Sequence, residues 1–179
     1  AKRECVLDGA DQTAKLLHKD CDNRSGIGCQ AEERSGGILG SETGGTQALE
    51  WTSEYIKIYT WPLNAEPADI RNSKEKPDTA TWGKPSVHLK TAFCDIDQAF
   101  QEQRIMFSLA FCGKPVAEDH FWNEERRSGG QTCREATGMT CKDYVAHNPG
   151  DFQDFYFRIK NIQYFSETNT EPSKTSTDL

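Results

Sequence analysis

No stretch of this 179-residue chain approaches the ~18–20 consecutive apolar side chains of a membrane-spanning helix. There is no CxxC pair, and the four histidines (His18, His88, His120, His147) are scattered, so the ligand spacing of a zinc site is missing. No G-x-S-x-G occurs, which removes the usual serine nucleophile elbow. The pairs Gly36-Gly37 and Gly44-Gly45 neither follow a strand nor open a helix, which argues against a phosphate-cradling loop. Positive charge is scarce: 21 Lys and Arg face 28 Asp and Glu, a net charge of −7. Nucleic acid and anionic membranes would repel such a chain and are not expected as partners. Neither a metal nor an organic cofactor is expected. No leader with a basic start and an apolar centre is present, so Ala1 reads as a mature or processed end.

Cysteine, by contrast, is plentiful, with seven residues. Without metal-ligand spacing they read as structural disulfides, which implies an oxidising, extracellular setting. The sequon Asn23-Arg24-Ser25 agrees and makes Asn23 a candidate glycosylation site. Cys21 and Cys29, and again Cys133 and Cys141, stand eight positions apart across loop-like sequence, so each pair can close a small loop. Cys94 and Cys112 flank a short helical segment and a strand and form the third candidate pair. Cys5 is then left as a free or interchain thiol. Connectivity is not fixed by spacing alone, so the pairing is an expectation.

Residues 1–45 are polar and Gly-rich and read as loop. Strand patterns begin at residues 46–52 and 55–61, joined by Ser53-Glu54 as a hairpin. In the second run Ile56 and Ile58 share one face while Tyr55, Lys57 and Tyr59 share the other. Four prolines (Pro62, Pro67, Pro77, Pro85) make residues 62–86 a long loop. Residues 104–112 alternate with apolar side chains on both faces, the pattern of a strand between two layers. Residues 155–165 form another long strand pattern. Short helices are expected at 97–103 and after the cap-like Thr140-Cys141-Lys142-Asp143, ending at Asn148-Pro149. The Ser/Thr-rich stretch 166–179 has the composition of a disordered tail.

Aromatic-rich strands, few helices and Gly/Pro loops indicate an all-β fold, an antiparallel β-sandwich. The five or six strand patterns are fewer than a closed sandwich wants, so residues 1–165 are expected to supply only part of one. Polysaccharide sites combine aromatic platforms with carboxylates that hold hydroxyls. Glu50, Trp61 and Trp122 are the substrate-binding candidates. Glu50 and Trp51 point to opposite faces because they are neighbours in a strand. Trp51 is expected in the core and Glu50 on the solvent or cleft side. Hydrolysis of a sugar bond needs two carboxyls ~5–5.5 Å apart for retention or ~6.5–9.5 Å for inversion. No E-x-D pattern exists here to supply them, and Asp95-Ile96-Asp97 reads as turn and cap chemistry.

Several ordered segments carry a more specific likeness. They are Asp20-Cys21-Asp22 through Gly28-Cys29, Ala48-Leu49-Glu50-Trp51-Thr52 with Tyr55-Ile56-Lys57-Ile58, Thr81-Trp82-Gly83-Lys84-Pro85 and Phe93-Cys94-Asp95. Phe111-Cys112-Gly113, Cys141-Lys142-Asp143-Tyr144-Val145 and the run from Phe155 to Tyr164 complete them. Over most of residues 4–165 the chain resembles the C-terminal half of fungal glycoside hydrolase family 16 proteins, the laminarinase-like endo-1,3(4)-β-glucanases. The resemblance implies a concanavalin A-like β-jelly-roll with a concave cleft for a neutral β-glucan. It also implies a retaining mechanism with both glutamates in an E-x-D-x-x-E strand. That motif is absent from this chain, so no residue is assigned a catalytic role, and the motif is expected on an N-terminal companion chain of the same precursor. The alternative is a non-catalytic, lectin-like carbohydrate binder. Lys114 follows Gly113 where the family usually continues Asp-Trp-Ala-Gly, and Leu63 stands where Arg is common. Both departures fall at expected substrate contacts.

Overall fold

The computed structural model describes residues 5–22, 28–33, 38, 41–72, 76–113, 120–124 and 130–166. The Asn23 sequon, the segment Lys114-Pro115-Val116-Ala117 and the stretch from 167 onward lie outside these residues. Two compact units make up the chain, residues 1–103 with 163–179, and residues 104–162.

The first unit is built on a three-stranded antiparallel sheet in the order β3-β4-β5, where β3 is Gly45–Trp51, β4 Tyr55–Pro62 and β5 Val87–Lys90. A short second sheet pairs β1 (Lys15–His18) with β2 (Gln30–Glu32). The β3–β4 hairpin follows from its turn chemistry. The Thr52 amide donates to the Tyr55 carbonyl at 2.9 Å, and the Thr52 hydroxyl accepts from the Glu54 and Tyr55 amides at 3.1 Å each. A side-chain oxygen that closes its own turn in this way fixes the strand register. The register then runs unbroken from Trp51↔Ile56 to Gly45↔Pro62.

Gly45 is needed at the far end of that ladder. A Cβ there would lie 2.3 Å from the Trp61 carbonyl oxygen and 2.3 Å from Cγ2 of Ile38. Backbone cannot move aside cheaply, so Gly45→Ala should cost about 1–3 kcal/mol through overpacking. Urea unfolding checks this as a lower midpoint at unchanged slope. An unshifted midpoint would refute the close approach.

The apolar sheet face packs on a core of Leu7, Leu89, Cys94 and the fully buried Ile96. Leu16 and Ala31 of the small sheet, with Ile56, Val87 and Phe100, pack around it. Each such burial contributes ~1.5–3 kcal/mol for a large aliphatic side chain. Residues 1–45, expected as loop, therefore contain two strands and an isolated Val6↔Asp20 bridge. Tertiary contacts with Leu7, Leu16 and Ala31 override a Gly-rich, polar local composition.

The cysteine pairing also differs from expectation. Cys5 is bonded to Cys94, Cys21 to Cys29, and Cys112 to Cys141. Cys133 is the free, half-buried thiol. The expected pairs Cys94/Cys112 and Cys133/Cys141 are corrected, and so is the reading of Cys5 as free or interchain. Backbone bonds from Val6 to Phe93 (3.0 Å) and from Cys21 to Cys5 (3.0 Å) carry the N-terminal segment to Cys94. A contact between residues 89 positions apart leaves no trace in local spacing.

The first unit also carries the one-turn helices α1 (Ala68–Arg71) and α2 (Ile96–Ala99), and the second holds α3 (Cys133–Thr137), α4 (Cys141–His147) and a 3-10 turn at Pro149–Phe152. A capping box of Thr132 and Glu135 starts α3, and Gly138 in the left-handed region ends it. Thr140 caps α4 through the Asp143 amide at 3.2 Å. Phe111 meets Phe152 and Phe155 edge to face, and these two tilt against each other, with centroids 4.9–6.1 Å apart. Residues 104–110 and 155–165 belong to no strand ladder, contrary to the sequence reading. Their alternating pattern suits a buried strand, but neither segment joins a strand ladder among the described residues. Ile105 and Met106 accordingly remain 71% and 79% exposed. A strand exists only with a partner for its N–H and C=O groups.

Candidate functional site

Strand alternation gives the larger sheet two unlike faces. Ile56, Ile58, Val87 and Leu89 line the apolar one. Glu50 from β3, Tyr55, Lys57, Tyr59 and Trp61 from β4, and His88 and Lys90 from β5 share the other, as their register partners require. Trp82 and Thr79 come to this second face, against Tyr59 and Trp61 and against Glu50 respectively.

Glu50 is the hub. Its Oε1 accepts from the Tyr55 hydroxyl at 3.0 Å and its Oε2 from the Tyr59 hydroxyl at 3.1 Å. The Lys57 ammonium stands 3.6 Å from Oε2 and 3.8 Å from the Tyr55 ring centroid. Burial pushes the Glu50 carboxyl up, but hydrogen bonds from Thr79 and Tyr55, the Lys57 charge and the Tyr59 bond outweigh it. The net position is below the ordinary carboxylate range. Tyr59 is 3% exposed, and burial together with the Glu50 carboxylate pushes its phenol far above the usual value. His88, opposite Lys57 in the ladder, is held low by burial and by the Lys57 and Lys90 ammoniums.

An aromatic wall stands beside the hub. Tyr59 and Trp61 stack with rings 8° apart and centroids at 5.6 Å. Trp82 meets both edge to face, at 5.2 Å and 5.7 Å. Asp69, in the short helix α1 (Ala68–Arg71), fixes the Trp82 indole by accepting from its Nε1 at 3.2 Å. The same carboxylate accepts from the Asp78 amide at 2.8 Å and the Ile70 amide at 2.9 Å. Burial raises its affinity for a proton, and these three donors overcome that and hold it low. The Pro-rich loop is thus an organised clasp rather than slack chain.

Glu50 and Trp61 are brought to one face. The Glu50 oxygens accept from the Tyr55 and Tyr59 hydroxyls beside the Lys57 ammonium, so the carboxylate positions its neighbours. Trp61 is half-buried, stacked on Tyr59 and met edge to face by Trp82. Trp122 belongs to the second unit, where its Nε1 donates to the Met139 carbonyl at 2.9 Å and its ring tilts against Tyr144. Trp51 lies on the apolar face as expected for a core residue but is 39% exposed, and its ring meets Phe100 edge to face at 5.9 Å. The more buried neighbour is Glu50. Sequence reasoning passed over Tyr59, Trp82 and Asp69. The period-2 run Tyr55-Lys57-Tyr59-Trp61 was a readable signal for the first. Asp69 has none, since the Asp78 amide and the Trp82 indole that it holds are nine and thirteen positions away.

Residues 2–165 match the family model described as the XgeA-like, catalytic GH16 domain. A probable endo-1,3(4)-beta-glucanase of Aspergillus clavatus is 34% identical over 90% of this chain and 25% of its own length. An endo-1,3(4)-beta-glucanase of Arthroderma benhamiae is 31% identical over 96% of this chain and 37% of its own. The chain therefore spans about a quarter to a third of these relatives. Laminarinase 16A from Phanerochaete chrysosporium, solved with β-glucans in donor and acceptor sites, superposes with a TM-score of 0.69 at 26% identity. An elongating GH family 16 β-1,3-glucosyltransferase gives 0.65 at 28%. Each superposition covers 84% of this chain and 50% of the solved one. The fold is accordingly part of a β-jelly-roll sandwich.

Proposed function

The chain belongs to the XgeA-like branch of glycoside hydrolase family 16, and on that premise we propose that it forms the aromatic wall of a β-1,3(4)-glucan site. The observation that carries this reading is the rigid Tyr59–Trp61–Trp82 cluster locked to one sheet face by Glu50 and Asp69. Apolar sugar faces pack on such rings, and a neutral glucan meets no opposing field from a net charge of −7.

Hydrolysis needs a carboxyl pair that this chain does not contain as E-x-D. The reading therefore includes an N-terminal companion chain of the same precursor, which brings E-x-D-x-x-E to a shared sandwich. It further includes secretion, supported by three disulfides, and a glycan on Asn23. Residues 1–165 act as one part of the domain, with 166–179 as a tail. The missing E-x-D also favours a second reading, a lectin-like binder without catalysis.

Trp61→Ala should weaken laminarin binding by about 10–30-fold, the effect of removing a central aromatic anchor. Calorimetric titration of laminarin into parent and variant checks it; equal affinities would rule out the wall. Reducing-sugar release by the assembled protein separates enzyme from binder.

A further inference from the structure

Trp82 is 8% exposed, so it backs the aromatic wall rather than meeting a ligand itself. It stands edge to face against Tyr59 and Trp61, and Trp61 is the less buried of the two indoles. In a packed cluster the place of one ring limits the angle of the next. What holds Trp82 therefore also holds Trp61.

Trp82 closes the 3-10 turn Thr79–Thr81, its amide donating to the Thr79 carbonyl at 3.2 Å. The Asp69 carboxylate grips both ends of that turn. Its Oδ2 accepts from the Asp78 amide at the start and from the Trp82 indole at the end. One oxygen thereby places two side chains, because Thr79 of the same turn hydrogen-bonds Glu50.

Asp69 in turn sits in α1, a single turn without a side-chain N-cap and too short to be stable alone. Arg71 closes it. Nη2 of its guanidinium donates to the Asn64 carbonyl and, at 2.9 Å, to the Glu66 carbonyl. Its Nε donates to Oε1 of the buried Glu66 at 3.3 Å. These bonds tie the chain leaving β4, which turns at Asn64 with a φ of +64°, to the last residue of α1. The Arg71 side chain is itself 48% exposed, so truncating it opens no core cavity.

We propose that Arg71 and Asp69 are positioning residues for the glucan wall. Arg71 keeps α1 closed, Asp69 fixes the 3-10 turn and its indole, and Trp82 sets the angle of the Trp61 ring. The inference rests on the glucan-wall reading and assigns that site two residues that do not contact the sugar.

The test measures laminarin affinity and near-ultraviolet circular dichroism on the full chain, the second reporting fixed aromatic packing whether or not laminarin binds. Arg71→Ala and Asp69→Ala should each weaken laminarin binding at least about fivefold, the scale of one lost hydrogen bond, and flatten the tryptophan band. Asp69→Asn keeps an acceptor for the indole and should recover most of both signals. Because Asp69 acts through the Trp82 N–H, Asp69→Ala combined with Trp82→Phe should bind no worse than Asp69→Ala alone. If Asp69→Ala does not fold, the exposed Arg71→Ala and the conservative Asp69→Asn carry the test. Additive losses in the double variant, or parental affinity and dichroism in Arg71→Ala, overturn the positioning. A parent that binds no laminarin overturns the glucan-wall reading instead, and the dichroism series then decides alone whether Arg71 and Asp69 fix the indole.

Discussion

Removing the Cys5–Cys94 disulfide, by Cys5→Ser together with Cys94→Ser, should destabilise the protein more than any other disulfide deletion. The bond closes a loop of 89 residues. On the chain-entropy model a loop that long is worth about 4–5 kcal/mol, against roughly 2–3 kcal/mol for the eight-residue Cys21–Cys29 loop. Cys94 is 3% exposed beside Ile96, so the bond also holds the Leu7 segment on the core it helps form. Within a domain of this size about 4 kcal/mol corresponds to a fall in Tm of roughly 8–16 °C. Calorimetry of the two double-Ser variants provides the comparison. A larger drop for the Cys21/Cys29 variant, or none for Cys5/Cys94, would contradict the pairing.

Glu50→Ala should be the most damaging single substitution on the aromatic face. It strips the acceptor from two tyrosine hydroxyls and the counter-ion from Lys57. Tyr59 is too buried to recover water in exchange. Unpartnered buried donors of this kind cost about 2–4 kcal/mol in sum. Glu50→Gln keeps one acceptor and should cost about half as much.

The charge adds a pH signature. Because folding lowers the Glu50 pKa, the folded state gains stability from its ionisation that is fully present above the unfolded value of about 4.3. That contribution is lost as pH falls through the lower, folded value. Urea unfolding between pH 6 and 2 should show the parent losing more stability than Glu50→Gln over the acid part of that range. Parallel pH profiles would mean that the carboxylate is not the hub.

Much of this was legible before any fold was known. The β3–β4 hairpin, its two faces and α4 came from period-2 alternation, the Ser53-Glu54 step and a Thr cap, all within a few residues of one another. The ordered segments from Cys21 to Tyr164 carried the family. Other features were not legible. Residues 104–112 and 155–165 have a strand pattern without a ladder, because alternation states what a segment prefers and not whether a neighbour is present. The small β1–β2 sheet was hidden by polar, Gly-rich composition and exists because Leu16 and Ala31 pack against the core.

By itself, then, the sequence determined the family, the all-β class, the hairpin and the opposite faces of Glu50 and Trp51. These depend on local spacing and on turn and cap chemistry. Only the tertiary structure decided that Cys5 meets Cys94, that Glu50 is enclosed by Tyr55, Tyr59 and Lys57, and that Asp69 clasps Trp82. It also decided that residues 12–14 hydrogen-bond along the β5 edge. Each of these joins groups through loop closure and packing, whose energy depends on where distant segments meet, and no local pattern encodes that.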